Sequence, residues 1–328
     1  MLSFPCAVKR RINMKVVSTS PSFAKYSNEP IEFLRSHQIE FEYLPADITE
    51  AEFIEKMQGV NAAIVAFNTI SEKVLDSLPD LKIVCKHGVG VDNIDVKAAQ
   101  DRGVVVTNVP NANKHAVADF AFALMLSLAR KIPEANDKTK KGEWPRIFGS
   151  DVYGKTLGIV GLGMIGREVA KRAKGFDMKI VAYDPYPNDA FAAEYGIEYV
   201  QLEELLTISD FITLHMPLTP QTRNLIAEKE FALMKEEAFI VNASRGGIVS
   251  EAALYEALKN GKIAGAALDV FEEEPATDHP LFEHSNFIAL PHIAGYTSGA
   301  INTLGMVCVQ NIVDVLVNNK EPNHVIKL

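Results

Sequence analysis

The chain has 328 residues, 48% apolar and 23% charged, a composition that suits two compact domains with packed cores and excludes disordered and fibrous classes. Its formal net charge of -9, with no basic stripe to offset it, argues against broad phosphate-backbone binding and so against a nucleic-acid partner. No stretch reaches the roughly eighteen uninterrupted apolar residues of a membrane span, and the N-terminus lacks a signal peptide's apolar core and small-residue cleavage site. A cytoplasmic protein without a membrane partner is expected.

The chain opens with the basic cluster Lys9, Arg10 and Arg11, read as a short leader before Met14 and given no function. From Lys15 to Asn108 short β-rich runs alternate with amphipathic stretches: KVVST, a helix near Ile31 to His37, IEFEYL, a helix near Glu50 to Met57, AAIVAF, SEKVLDSL, KIVCKH, DVKAAQDRG and VVVTN. Strict alternation of strand and helix predicts a parallel sheet covered on both faces, a small flavodoxin-like unit. Between Asn113 and Arg130, Val117, Phe120, Leu124 and Leu128 recur at helical spacing and predict one long buried helix, packed on its own domain or on a twin subunit.

A second series runs from Thr156 to Ile293 through TLGIVG, KIVAYD, FITLHM, AFIVNAS, IAGAALDVF and NFIALPHI. These near-continuously apolar runs suit central parallel strands. A last helix is expected over about Ser298 to Val317, returning to the first domain and leaving hinges near Asn111 and Gly295. The expected architecture is α/β, two doubly wound parallel-sheet domains. A Rossmann-type domain, 113–295, is inserted in a flavodoxin-like domain made of 1–112 and 296–328. Cys6, Cys85 and Cys308 lack CxxC or Cys/His metal spacing and read as small apolar residues, so neither a disulfide frame nor a metal site is expected.

The segment TLGIVGLGMIGREVAKRAKG places Gly161, Gly163 and Gly166 at GxGxxG spacing between a strand and a helix. Such glycines permit a tight turn, let backbone amides approach a pyrophosphate, and let helix and strand pack closely. The anion then rests at a helix N-terminus, where free N–H groups and the dipole favour it. KIVAYD ends in Asp184, 18 residues past Gly166, where a carboxylate can accept from both ribose hydroxyls and repel a 2'-phosphate, which specifies NAD over NADP.

Three polar groups stand just past apolar strands, where ligands collect in open α/β sheets: Arg245 in VNASRGG, an acid within FEEEP, and His292 in LPHIAG. An arginine fork can hold a carboxylate bidentately, as lysine cannot. A histidine titrating near working pH can exchange a proton with an alkoxide, and a carboxylate beside it can orient the ring. Glu272, Glu273 and Glu274 all compete for that last place, and spacing does not choose among them.

The motifs KHGVGVDNID, GKTLGIVGLGMIGREVA, LHMPLTPQTRNLI, VNASRGGIV, AALDVFEEEP and PHIAGYT resemble those of the D-isomer-specific 2-hydroxyacid dehydrogenase family, most closely its phosphoglycerate dehydrogenase branch, over about Ile64 to Val313. The resemblance implies an NAD-dependent oxidoreductase acting on the CH-OH group of a small 2-hydroxy or 2-keto acid, with Arg245, Glu274 and His292 as the catalytic set. It implies cofactor contacts from Gly161, Gly163, Met164, Ile165, Gly166, Asp184, His215, Ala243, Ser244 and His292, with Asp269 near the nicotinamide carboxamide and Pro217 and Thr222 on the adenosine side. It further implies substrate contacts from Lys86, Val89, Gly90, Arg245 and His292, and a homodimer or dimer of dimers. Phosphoglycerate members place an arginine where this chain has Ala66, Phe67 and Asn68, so one phosphate ligand is missing, whereas Lys86 and Arg146 match other basic positions. The chain ends at Leu328, and a C-terminal regulatory domain with serine feedback is not expected. The alternatives are a hydroxypyruvate or glyoxylate reductase, an oxidoreductase acting on amino acids or sugars, and an NAD-sensing corepressor-type binding protein.

Overall fold

A computed structural model describes residues 14–327, so the basic cluster Lys9 to Arg11 and Cys6 lie outside the described residues. The chain divides into two compact units, Met1–Asn113 with Tyr296–Leu328, and Lys114–Gly295.

In the first unit β1 (Lys15–Ser18), β2 (Glu40–Tyr43), β3 (Ala62–Val65), β4 (Ile83–Lys86) and β5 (Val105–Thr107) form a parallel sheet in the order β2-β1-β3-β4-β5. This is the flavodoxin-like order, with its switch point between β1 and β3. The connecting helices are α1 (Glu29–Ser36), α2 (Glu50–Lys56), α3 (Glu72–Asp76) and α4 (Val96–Asp101). Side-chain oxygens of Thr49, Ser71 and Asp95 start the last three by accepting from otherwise orphaned amides, each cap worth about 1 kcal/mol.

Alternate side chains of β3 and β4 feed two cores. Ala63, Val65 and Val84 pack with Val74 and Leu75 on one face; Ile64, Ile83 and Cys85 pack with Ile301, Leu304, Cys308 and Ile312 on the other. Those last four residues belong to the final helix, Ser298–Leu316, which also packs on α1. That helix has the length and mean hydropathy of a membrane span. Asn302, Thr303, Gln310, Asn311 and Asp314 interrupt it, and its apolar stripe is part of this unit's core.

In the second unit β6 (Thr156–Val160), β7 (Lys179–Tyr183), β8 (Glu198–Tyr199), β9 (Phe211–Leu214), β10 (Phe239–Asn242), β11 (Gly265–Leu268) and β12 (Phe287–Ala289) form a parallel sheet in the order β12-β11-β10-β9-β6-β7-β8. Counted from β6 this is the Rossmann order with one added edge strand. The helices are α5 (Lys114–Ala129), α6 (Ile132–Lys140), α7 (Met164–Ala173), α8 (Asp189–Tyr195), α9 (Leu202–Ile208), α10 (Glu228–Leu233) and α11 (Glu251–Lys259). The central β9, β10 and β11 are buried along their whole length, as their apolar sequences require.

The expected long helix is α5, and Ala118, Ala121, Phe122 and Met125 pack it into its own unit. It stops at Ala129. Lys131 takes a left-handed φ of 49°, and α6 begins with Pro133 in its first turn, where a missing N–H costs nothing. Two expected strands are shorter than their apolar runs: IAGAALDVF is strand only over Gly265–Leu268, and NFIALPHI only over Phe287–Ala289. The chain leaves the sheet at Asp269 because that buried carboxylate takes its partners from a distant loop, described next.

Candidate active site

The glycine loop lies between β6 and α7. Gly161 has φ +97°, and a Cβ there would lie 2.7 Å from the His215 carbonyl oxygen; a Cβ on Gly166 would lie 2.2 Å from the Gly161 carbonyl oxygen. Both positions therefore need glycine. A Cβ at Gly163 would meet nothing, so the approach to the first turn of α7 is open on that side. Gly163 is the N-cap and supplies no side-chain acceptor to the helix amides. An open helix start with unfilled amides suits a pyrophosphate. Met164 is 43% exposed at that start, and Ile165 packs against the cluster of Val117, Ala243 and Ala294.

Asp184 follows β7, and its carboxylate grips the same loop. One oxygen accepts from the Leu162 amide and the other from the Tyr186 amide, each at 2.8 Å. Each oxygen keeps a lone-pair site for a further donor. His215 follows β9. Its Nε2 lies 2.9 Å from the Thr213 hydroxyl, while its Nδ1 is buried without a hydrogen-bond partner. Burial pushes this imidazole down to about 3, so it is neutral near pH 7. In the next turn the Thr222 hydroxyl donates to the Pro217 carbonyl at 2.7 Å and accepts from the Thr219 amide at 2.7 Å, so it shapes the turn rather than standing open.

Arg245 leaves the end of β10 in a turn built by Asn242, a buried residue that sequence reasoning passed over. The Asn242 amide donates to the Arg245 carbonyl at 2.8 Å, and its oxygen accepts from the Ser244 amide and hydroxyl at 3.0 and 2.7 Å. Arg245 Nη1 donates to the Ser244 carbonyl at 2.6 Å. Ala243 is buried beside Val117 and Ala294.

Of the three competing glutamates, Glu274 meets the histidine. Its Oε2 lies 2.9 Å from His292 Nδ1, and its Oε1 accepts from the Phe271 amide at 3.1 Å. Burial opposes ionisation of Glu274. The His292 hydrogen bond and charge, the Phe271 amide and the Arg245 guanidinium together outweigh it and hold the carboxyl below its ordinary value. Arg245 and His292 thus both act electrostatically on Glu274 although 47 residues separate them in the chain.

His292 itself has a left-handed φ of 56°. Asp269 stabilises that conformation: its oxygens accept from the Ile293 and Ala294 amides at 2.9 and 2.8 Å, and the residue is fully buried. Burial raises its pKa against the opposing pull of those two amides. The structure therefore aims the Asp269 carboxylate at the loop that carries His292.

The remaining expected residues lie in the first unit. Lys86 ends β4; its ammonium donates to the Ala66 carbonyl and, at 2.6 Å, to Asn93 Oδ1. Asn93 in turn donates to the Asn68 carbonyl at 2.6 Å. The Val89 carbonyl accepts from Asn108 at 2.6 Å, and the Gly88 carbonyl accepts from the Val109 amide at 2.8 Å, which fixes the loop that includes Gly90. Phe67 is half exposed.

Residues 122–294 match the family model described as D-isomer specific 2-hydroxyacid dehydrogenase, NAD binding domain. The chain is 47% identical over 273 residues to the D-3-phosphoglycerate dehydrogenase of Methanocaldococcus jannaschii, which covers 82% of this chain and 52% of that protein. It is 44% identical over 268 residues to the glyoxylate reductase of Korarchaeum cryptofilum, covering 79% and 81%. The chain thus spans about half the length of the phosphoglycerate dehydrogenases it matches, 52% and 57% of the first two. Among solved structures, D-lactate dehydrogenase from Aquifex aeolicus, complexed with NAD and lactic acid, aligns with a TM-score of 0.81 at 29% identity, covering 93% of this chain and 96% of that one.

Proposed function

The chain belongs to the D-isomer-specific 2-hydroxyacid dehydrogenase family, and from that premise we propose that it interconverts a small 2-hydroxy acid and its 2-keto acid with NAD as cofactor. The observation that carries the proposal is the 2.9 Å contact of Glu274 with His292, under the field of Arg245.

NAD, when bound, supplies the acceptor or donor of hydride. Gly161, Gly163, Met164, Ile165 and Gly166 would hold its pyrophosphate at the α7 start, and Asp184 the adenosine ribose. His215, Pro217 and Thr222 would line the adenosine side, and Ala243, Ser244 and Asp269 the nicotinamide side. The glycine cradle, the open face at Gly163 and the unpartnered His215 Nδ1 fit such a ligand.

Arg245 clamps the substrate carboxylate through its planar fork. His292 Nδ1 is engaged by Glu274, so Nε2 exchanges the proton with the substrate oxygen, giving it during reduction and taking it during oxidation. Glu274 fixes the ring and Asp269 fixes the backbone beneath it. Lys86, Val89 and Gly90 are further substrate-binding candidates, supported by the family resemblance of KHGVGVDNID.

The primary assignment is a phosphoglycerate dehydrogenase-like activity. A hydroxypyruvate or glyoxylate reductase is the second, favoured by Phe67 and Asn68 after β3 and by the engagement of Lys86 with Ala66 and Asn93. The exposed Trp144, Phe148 and Tyr153, at 79%, 85% and 70%, support pairing with a second copy in a homodimer. The test is NADH oxidation with hydroxypyruvate, glyoxylate and related keto acids, with the reverse assay on 3-phosphoglycerate, glycerate, lactate, sulfolactate and 2-hydroxyglutarate. Turnover on any of them supports the dehydrogenase; silence across the panel with intact NADH binding favours a corepressor-type binder.

A further inference from the structure

We infer that Glu251 and His279 form an outer clamp that positions Glu274 and Arg245, an inference that rests on the dehydrogenase reading above. Glu251 is the first residue of α11, and its side chain is only 13% exposed. One carboxylate oxygen accepts from the Glu272 amide at 2.6 Å; the other lies 2.9 Å from His279 Nε2. His279 Nδ1 accepts from the Leu281 amide at 3.3 Å and caps the short 3-10 turn Pro280–Glu283. Nδ1 must therefore present a lone pair, and the ring proton sits on Nε2, directed at Glu251. The Phe271 and Phe282 rings, each 5.6 Å away, hold the imidazole in that plane.

The Phe271–Glu272 peptide that Glu251 grips is a junction. A Cβ on Gly246 would lie 1.9 Å from the Phe271 carbonyl oxygen, so this carbonyl presses on the backbone of the residue that follows Arg245. The Phe271 amide donates to Glu274 Oε1, and the other oxygen of Glu274 faces His292. Residues 270–279 form neither helix nor strand, so no ladder of backbone bonds holds this junction. A charge-assisted bond from a part-buried carboxylate is a strong substitute. Losing it frees the peptide to shift, moving the Glu274 backbone and relaxing the contact at Gly246 together. Glu251 and His279 act through the Glu272 amide and the turn at Leu281, so they are positioning residues.

The experiment compares Glu251→Ala, Glu251→Gln and His279→Ala with wild type in the NADH-loaded protein. Glu256→Ala, on an exposed part of the same helix, serves as control. A support displaced by about 1 Å typically costs roughly 10- to 100-fold in kcat. That loss is expected for Glu251→Ala with NADH affinity unchanged, a smaller loss for His279→Ala, and partial recovery in Glu251→Gln, whose carbonyl still accepts from Glu272 while its NH2 faces the His279 Nε2–H. The imidazole NMR signals of His292, read without turnover, are expected to move in Glu251→Ala and to stay put in Glu256→Ala. A folded Glu251→Ala with wild-type kcat and an unmoved His292 signal overturns the clamp; where that variant does not fold, wild-type kcat and an unmoved His292 signal in His279→Ala overturn it. A wild type inactive on every acid tested sinks the dehydrogenase reading instead, and the His292 signal then judges the clamp alone.

Discussion

Acidification from pH 7.5 to 5.0 should destabilise the first unit through one residue, His87. Its side chain follows β4 and is buried, with Nδ1 3.0 Å from the Ser20 hydroxyl and 3.3 Å from that of Ser22, and the Phe23 ring edge-on at 5.8 Å. Burial lowers its pKa from 6.5 to about 4; the Lys86 charge adds to the lowering, and the Ile301 carbonyl opposes it. The unfolded chain therefore takes up this proton below pH 6.5, whereas the folded chain resists until about pH 4. Stability is lost as pH falls through that window. Linkage across the 6.5-to-4 difference gives a loss of about 2 kcal/mol at pH 5.0, a large part of the ~5–15 kcal/mol that holds a typical protein folded. The assay is urea unfolding of wild type and His87→Asn at both pH values, which subtracts the titration of every other group. Wild type should lose about 2 kcal/mol more than the variant. Equal losses would refute the claim that His87 is folded in its neutral form.

Three further outcomes concern the site. His292→Ala should lower kcat by roughly 10²- to 10⁴-fold, the usual size of a general acid's contribution, with NADH binding retained in a fluorescence titration; near-normal turnover removes His292 from the mechanism. Arg245→Lys should damage kcat/KM for the keto acid far more than NADH affinity, because an ammonium cannot match a bidentate fork, and steady-state kinetics with intact turnover would count against the clamp. Asp184→Ser should raise the KM for NAD and narrow the ratio of kcat/KM between NAD and NADP, with an added cost from releasing the Leu162 amide; an unchanged ratio defeats the assignment.

Much of this molecule is written locally in its chain. Strand and helix are encoded by apolar periods a few residues long, so the alternation from Lys15 to Asn108 and the run of strands from Thr156 onward were legible in sequence. So was the glycine loop, because a left-handed turn at Gly161 and the close approach at Gly166 are demands on single residues. Arg245 and His292 stood out because each ends an apolar strand run. Elements below the length of a pattern were not legible: two-residue β8, and the break at Lys131 that divides α5 from α6.

What folding alone decided is the pairing of groups remote along the chain. Glu272, Glu273 and Glu274 are chemically alike and adjacent, and only the path of the loop after β11 turns the third toward His292, 18 residues away. Asp269 closes on amides 24 and 25 residues downstream, and Glu251 on an amide 21 residues downstream. The Lys86 ammonium likewise meets the Ala66 carbonyl and Asn93 Oδ1, partners 20 positions before it and 7 after. A side chain's chemistry is fixed by its own atoms, whereas its partner is fixed by which strand ends the sheet order brings side by side. That order is set by the packing of whole faces, which no short window of residues contains.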